Sequence, residues 1–248
     1  MSGNIYIGVG GWTFEPWRGT FYPDELTQKR ELEYMSRQLT SIEINGTYYS
    51  TFKRDSWEKW GAETPKGFKF SVKASRFSTN RKVLSDDASK QSMEKFFGQG
   101  MAALGDKLGP INWQFMGTKK FDPADFGAFL KMLPKEVEKV PLRHAIEVRH
   151  ASFCCPEFYD MAAKSKVAIC YAKDEDFPEI EQPTADFTYA RLMSTSETLK
   201  DGIGPKELKH WTAKTKEWAR RGDVFAYFIS GAKVKNPAAA QALIKAVK

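Results

Sequence analysis

Cysteine is scarce in this sequence. The 248 residues hold three, Cys154 and Cys155 side by side and Cys170 alone. That leaves no disulfide framework and no Cys-x-x-Cys metal knuckle, and the thiols are expected to be reduced and partly buried. Histidine is as rare: of three, only His150 follows a candidate strand where a site can use it as acid, base or ligand, and no His-Glu-x-x-His spacing occurs. No apolar run approaches the roughly 18 residues of a bilayer span, and no cationic segment with a long apolar stretch opens the chain. A cytoplasmic protein without membrane contact is expected. Linkers rich in Pro, Gly or Ser are also missing, so residues 1–248 read as one domain.

What is present describes a folded chain. Aromatic residues make up 14%, with seven Trp, and this excludes a disordered polymer. The net charge of +7 allows a polyanionic partner, since Lys and Arg release counterions from phosphates. The basic residues are scattered, however, and the densest group, Arg76 to Lys82, has three cations. A basic solvated surface is the first reading and nucleic acid the second.

Short apolar or alternating runs recur eight times with helical patterns between them. The strands are expected at Ile5 to Gly10, Ser41 to Asn45, Lys69 to Ala74, Pro110 to Phe115, His144 to Arg149, Val167 to Ala172, Phe187 to Met193 and Val224 to Ser230. Helices are expected at Asp24 to Leu39, Pro205 to Arg221 and Asn236 to Val247, while Thr51 to Pro65 and Asp174 to Asp186 read as loops or short helices. Eight such pairs predict an α/β fold, a single-domain (β/α)₈ TIM barrel.

Strands of an open sheet covered on both faces read as continuous apolar runs, yet five of these alternate. One face carries Glu43 and Asn45, then Lys69, Ser71 and Lys73, then Asn112 and Gln114, then Glu147 and Arg149, then Tyr189 and Arg191. The apolar faces must meet the helices, so the polar ones point into the barrel. There an unpaired charge costs several kcal/mol and has to be paired or bind something. Barrel sites form at the C-terminal ends of strands. Glu43, Lys73, Glu147 and Arg149 are therefore the candidate catalytic residues, and Trp12, Asn45, Gln114, His150 and Arg191 the candidate substrate-binding ones. The plainer alternative is a purely structural network, with Glu147 paired to Arg149 or Glu43 to Lys73. No cofactor is expected; Mg²⁺ or Mn²⁺ held by Glu43, Glu147 and Asp174 is the alternative. Gly8 to Trp12 resembles a dinucleotide loop but has Thr13 where the third glycine belongs, so a tight strand-to-loop turn is expected.

Several stretches together resemble the domain-of-unknown-function family 72, or YecE-like proteins. They are Gly11 and Trp12 with Trp17 to Pro23, Ile42 to Asn45 with Thr47 to Tyr49, and Phe68 to Ala74. Leu108 to Pro110 with Gln114, Ile146 to His150 with Ser152 and Phe153, Thr184 to Phe187 with Tyr189 to Leu192, and Tyr227 with Phe228 continue the series in order. The resemblance implies a TIM barrel loosely related to sugar isomerases, with the pocket at these residues. The chain departs from the family pattern at Asn80, where a His is usual. It departs again at Met116 and Gly117, where prolines are usual, and at Ile229, Ser230 and Gly231, where Asn-Asn-Asp is usual.

Three functions follow. The first is an enzyme acting on a small polar or anionic compound, sugar-like or phosphorylated. Glu43 or Glu147 would be its general base, and Lys73, Arg149 and Arg191 would stabilise an oxyanion, carboxylate or phosphate, as in aldose–ketose isomerisation or epimerisation. The second is a hydrolase or binder working on phosphodiesters or nucleic acid. The third is a ligand-binding barrel without catalysis.

Overall fold

Runs rich in Ile, Val, Phe and Tyr become eight parallel strands in the computed structural model, which describes residues 2–248. They are β1 (Ile5–Gly10), β2 (Ser41–Ile44), β3 (Lys69–Lys73), β4 (Leu108–Gln114), β5 (His144–Glu147), β6 in two pieces (Ala168–Ile169 and Tyr171–Lys173), β7 (Phe187–Leu192) and β8 (Asp223–Phe228). Each expected strand is found, with ends shifted by a few residues. β8 stops before Ser230 because Ser230 and Gly231 turn the chain at φ 62° and 55°.

Pairing carries the sheet full circle. β1 lies between β2, with Gly8 opposite Ser41, and β8, with Ile5 opposite Val224, so first and last strands are neighbours. The remaining seam runs through β6. Its first piece pairs with β5 and its second with β7, and the Cys170 N–H between them donates to the Ile146 carbonyl at 2.8 Å. Glycine is required at the first turn. A Cβ on Gly8 would lie 1.8 Å from the Ser41 carbonyl oxygen, and Gly11 takes φ 74°. The glycine-rich stretch is a tight turn.

Among the described residues eight α-helices cover the sheet: α1 (Glu31–Gln38), α2 (Arg54–Glu63), α3 (Arg76–Thr79), α4 (Asp87–Phe97), α5 (Pro123–Met132), α6 (Pro156–Lys164), α7 (Pro205–Ala219) and α8 (Asn236–Val247). α7 starts on its Pro at the first turn, where a missing N–H costs nothing. The helix expected from Asp24 is shorter. A 3₁₀ turn at Gln28–Arg30 leads into α1, because Thr27 is still extended. Thr51 to Pro65 contains a full helix, α2. No helix or strand occupies 174–186, so β6 and β7 are joined by a loop while β3 and β4 are joined by two helices. Among the described residues no helix is long and apolar enough to cross a membrane.

Alternation divides the core. Val224, Ala226 and Phe228 of β8 face outward to the helices, while Phe225 and Tyr227 face inward beside Tyr189 and the small Ala145, Ala168 and Ala172. At the N-terminal end Tyr6 stacks on Phe225 at 4.8 Å and Arg143 lies over the same ring. This aromatic plug leaves the C-terminal end of the interior to the polar side chains.

Candidate functional site

The inward residues of β2, β5 and β7 meet in one ion network. Arg191, only 3% exposed, donates from Nη1 to Glu147 Oε2 at 2.7 Å and from Nη2 to Glu43 Oε1 at 3.2 Å. Both carboxylates are fully buried. The Tyr189 hydroxyl donates to the other Glu43 oxygen at 2.5 Å. Glu147 Oε1 also accepts from Arg149 Nε and Nη2 at 2.9 and 2.8 Å and from Gln114 Nε2 at 2.7 Å, while Asn112 Nδ2 reaches Oε2 at 3.3 Å. One layer below, the Tyr227 hydroxyl joins Ser41 Oγ at 2.7 Å and Ser71 Oγ at 2.6 Å.

These contacts set the electrostatics. Burial pushes the Glu147 carboxyl up, but the Arg191 and Arg149 guanidiniums beside it outweigh that and bring it down to about 2. Glu147 is thus a fixed anion and a weak base. Burial beside Glu43 pushes the Tyr189 hydroxyl well above its ordinary value, so it stays a donor. Lys73, at the end of β3, forms no ion pair among the described residues. Its Nζ lies over the Tyr48 ring, 4.3 Å from the centre, and burial followed by the charge of Arg191 lowers its pKa to about 8. Of the five buried side-chain atoms without a hydrogen-bond partner among the described residues, two belong to this network: Arg191 Nε and Asn112 Oδ1.

The nine sequence candidates separate into a joined set and a rim. Glu43, Glu147, Arg149, Arg191 and Gln114 are joined by hydrogen bonds, and Lys73 feels the charges of four of them. Asn45 sits beside, half-buried, with Nδ2 on the Glu43 carbonyl at 3.3 Å. His150 is held by its own loop, accepting from the Ser152 N–H at 3.1 Å. Trp12 packs edge-on against Trp60 at 5.0 Å, in an aromatic pile with Phe52 and Trp57. Of the two pairs proposed for a structural network, Glu147 does pair with Arg149, whereas Glu43 pairs with Arg191 and not with Lys73. Among the described residues no three His, Cys, Asp or Glu side chains come together to hold a metal, so Glu43, Glu147 and Asp174 form no such cluster.

Tyr48, Tyr227 and Phe177 are not among the candidate site residues, although Tyr48 and Tyr227 lie in the stretches that resemble the family. Tyr227 follows the alternation of β8, the same signal that marked Tyr189. Phe177, whose ring stacks on Arg149 at 4.3 Å, belongs to the loop without regular structure and left no periodic trace.

Fold and site define a closed (β/α)₈ barrel with an interior ion network at the C-terminal ends of its strands. The sequence pattern of the family described as protein of unknown function DUF72 matches residues 6–248, and the chain belongs to that family. UPF0759 protein YunF of Bacillus subtilis (strain 168) is 28% identical over 160 residues, 63% of this chain and 54% of that protein, so the match spans about half of that relative's length. Among solved structures, a DUF72 family protein of Thermotoga maritima superimposes with a TM-score of 0.77 at 21% identity, covering 98% of both chains. One from Enterococcus faecalis gives 0.69 at 14% identity, covering 99% of both.

Proposed function

We propose that this chain is an enzyme that binds a small anionic compound, sugar-like or phosphorylated, at the C-terminal mouth of the barrel and moves a proton on it. One observation carries the reading: at the mouth three cations, Lys73, Arg149 and Arg191, face two carboxylates, and the pairing of Glu43 and Glu147 leaves Lys73 without an acid. An anion completes that balance. Arg149, 24% exposed, is the guanidinium a ligand reaches, and Arg191 is the deeper one that fixes both carboxylates. With Glu147 held as an anion, the proton-transfer role falls to Lys73, whose neutral and charged forms are both populated near neutral pH, or to Glu43. Isomerisation or epimerisation next to a carbonyl is a reaction of this type.

The test is a thermal-shift series with inorganic phosphate, sugar phosphates, hydroxy acids and neutral sugars. At tenfold their Kd, anions are expected to raise Tm by about 3 to 6 °C. Neutral sugars are expected to do nothing, and Arg149→Met to lose the response. Equal responses in wild type and Arg149→Met would remove the reading. A compound that stabilises the fold and is never converted would favour a binding barrel without catalysis.

A second reading, phosphodiester or nucleic-acid binding, is favoured by a groove beside the mouth. A cavity of about 620 Å³ is lined by Asn80, Arg81, Lys82, Met116, Lys119 and Lys120, and nearby Arg76 stacks on the exposed rings of Tyr49 and Phe77. Arg81 and Lys119 are already paired with Asp86 and Asp125, however, which removes two of these cations from the groove's free charge. Oligonucleotide binding that weakens steeply between 50 and 200 mM salt, on the order of 10³-fold, would move this reading to first place.

A further inference from the structure

The lone amine at the mouth has a use beyond neutralising an anion. Glu43 is occupied by Tyr189 and Arg191, and Glu147 by Arg149, Arg191, Gln114 and Asn112. Among the described residues no carboxylate oxygen lies within 4.0 Å of Lys73 Nζ, and no other group hydrogen-bonds to it. The groups facing it are the Tyr48 ring, the guanidiniums of Arg191 and Arg149, and the paired carboxylates of Glu43 and Glu147. Tyr48 is itself fixed, its hydroxyl accepting from Asn80 Nδ2 at 3.0 Å. The side chain is partly exposed at the end of β3, the position from which barrel strands present reacting groups.

We propose that Lys73 is a carbonyl-reactive lysine, whose amine forms an imine with a small aldehyde or ketone bearing a carboxylate or phosphate that Arg149 seats. This rests on the reading that the mouth binds anions. In the step, the nitrogen lone pair adds to the carbonyl carbon and the C=O π electrons move to oxygen. The carbinolamine then loses that oxygen with the two former amine protons as water, leaving the C=N bond. Nothing is oxidised or reduced. Once formed, the imine acidifies the adjacent C–H, which unites this step with the proton transfer proposed above.

Only a neutral amine can add. With a pKa of about 8, about a quarter of Lys73 is neutral at pH 7.5, against about one in a thousand for an ordinary lysine, a difference of roughly two hundredfold in available nucleophile.

The experiment incubates the full chain with glyoxylate, or with acetaldehyde as an uncharged control, in the presence of sodium cyanoborohydride. Peptides are then mapped by mass spectrometry. Lys73 is expected to be alkylated by glyoxylate at least tenfold faster than any other lysine, with a pH midpoint near 8, and to lose this preference over acetaldehyde in Arg149→Met. Lys73→Arg, which keeps a cation at the mouth, is expected to abolish the fast site. Labelling of Lys73 no faster than of surface lysines overturns the proposal, even where inorganic phosphate still raises Tm and the anion-binding reading survives. Equal labelling by both aldehydes with no response to phosphate overturns the anion seat, and the proposal with it.

Discussion

Lys73 is held where its own charge is unwelcome. Two guanidiniums stand near it, and the two carboxylates that would balance it are committed elsewhere. Because the folded pKa is about 8 and the free value 10.5, the unfolded chain binds the extra proton between those pH values, and stability rises with pH across that window. Below about 8 both states are protonated and the fold bears the full cost, of order 3 kcal/mol at about 1.4 kcal/mol per unit. Lys73→Met keeps most of the packing and removes the charge. It is expected to raise stability by about 1 to 3 kcal/mol at pH 7, measured by urea unfolding, with the gain shrinking to nothing by about pH 10.5. A variant less stable than wild type at pH 7 would mean that Lys73 has a partner and is not a strained cation. The residues of the site were legible at this scale because alternation along five strands marks which side chains turn inward. Their partners were not. Glu43 meets Arg191 and Tyr189 across the barrel, 148 and 146 residues away in sequence, and no local pattern encodes which strand curvature brings opposite.

At the scale of elements, β4 and β5 are tied on their outer faces by a histidine that carries no part of the site. His144 Nδ1 accepts from Trp113 Nε1 at 3.1 Å, which leaves the Nε2 proton to donate to the Pro134 carbonyl at 2.7 Å. Burial drives the ring's pKa down to about 4, against the smaller opposing pull of the Pro134 carbonyl. The unfolded chain takes up a proton near 6.5 that the folded ring refuses, so this contribution is complete above 6.5 and disappears as pH falls toward 4. His144→Gln is expected to flatten the loss of urea midpoint between pH 7 and 4.5. An unchanged slope would place the acid sensitivity elsewhere. The strands were legible because their apolar runs are short and bounded by turns. Thr51 to Pro65 reads as either a loop or a short helix, and it is the helix that forms, with Trp57, Trp60, Gly61 and Thr64 at helical spacing among charged residues. The loop at 174–186 gives no period at all, yet it delivers Phe177 onto Arg149. The family departures are also local events. Asn80 holds Tyr48, and Ser230 adopts a positive φ that an asparagine tolerates better.

Across the whole molecule, closure makes each strand depend on two neighbours, and the last β/α unit completes the first. β1 hydrogen-bonds to β8, and α8 lies against both. We expect the barrel to unfold in one transition, and a defect in α8 tests this because α8 is far in sequence from most of the tryptophans. Leu243 is fully buried there, so Leu243→Ala is expected to cost about 2 to 5 kcal/mol through lost transfer energy and a residual cavity. The seven tryptophans are spread over the first loop, α2, β4 and α7. Their fluorescence and the far-UV circular dichroism should therefore shift together in denaturant. Separation of the two curves, with the fluorescence of Trp57 and Trp113 retained after helicity has begun to fall, would mean that the N-terminal units hold a core of their own. The size of the anion-induced rise in Tm should meanwhile survive in Leu243→Ala, since the ion network draws on β2, β5 and β7 and not on α8.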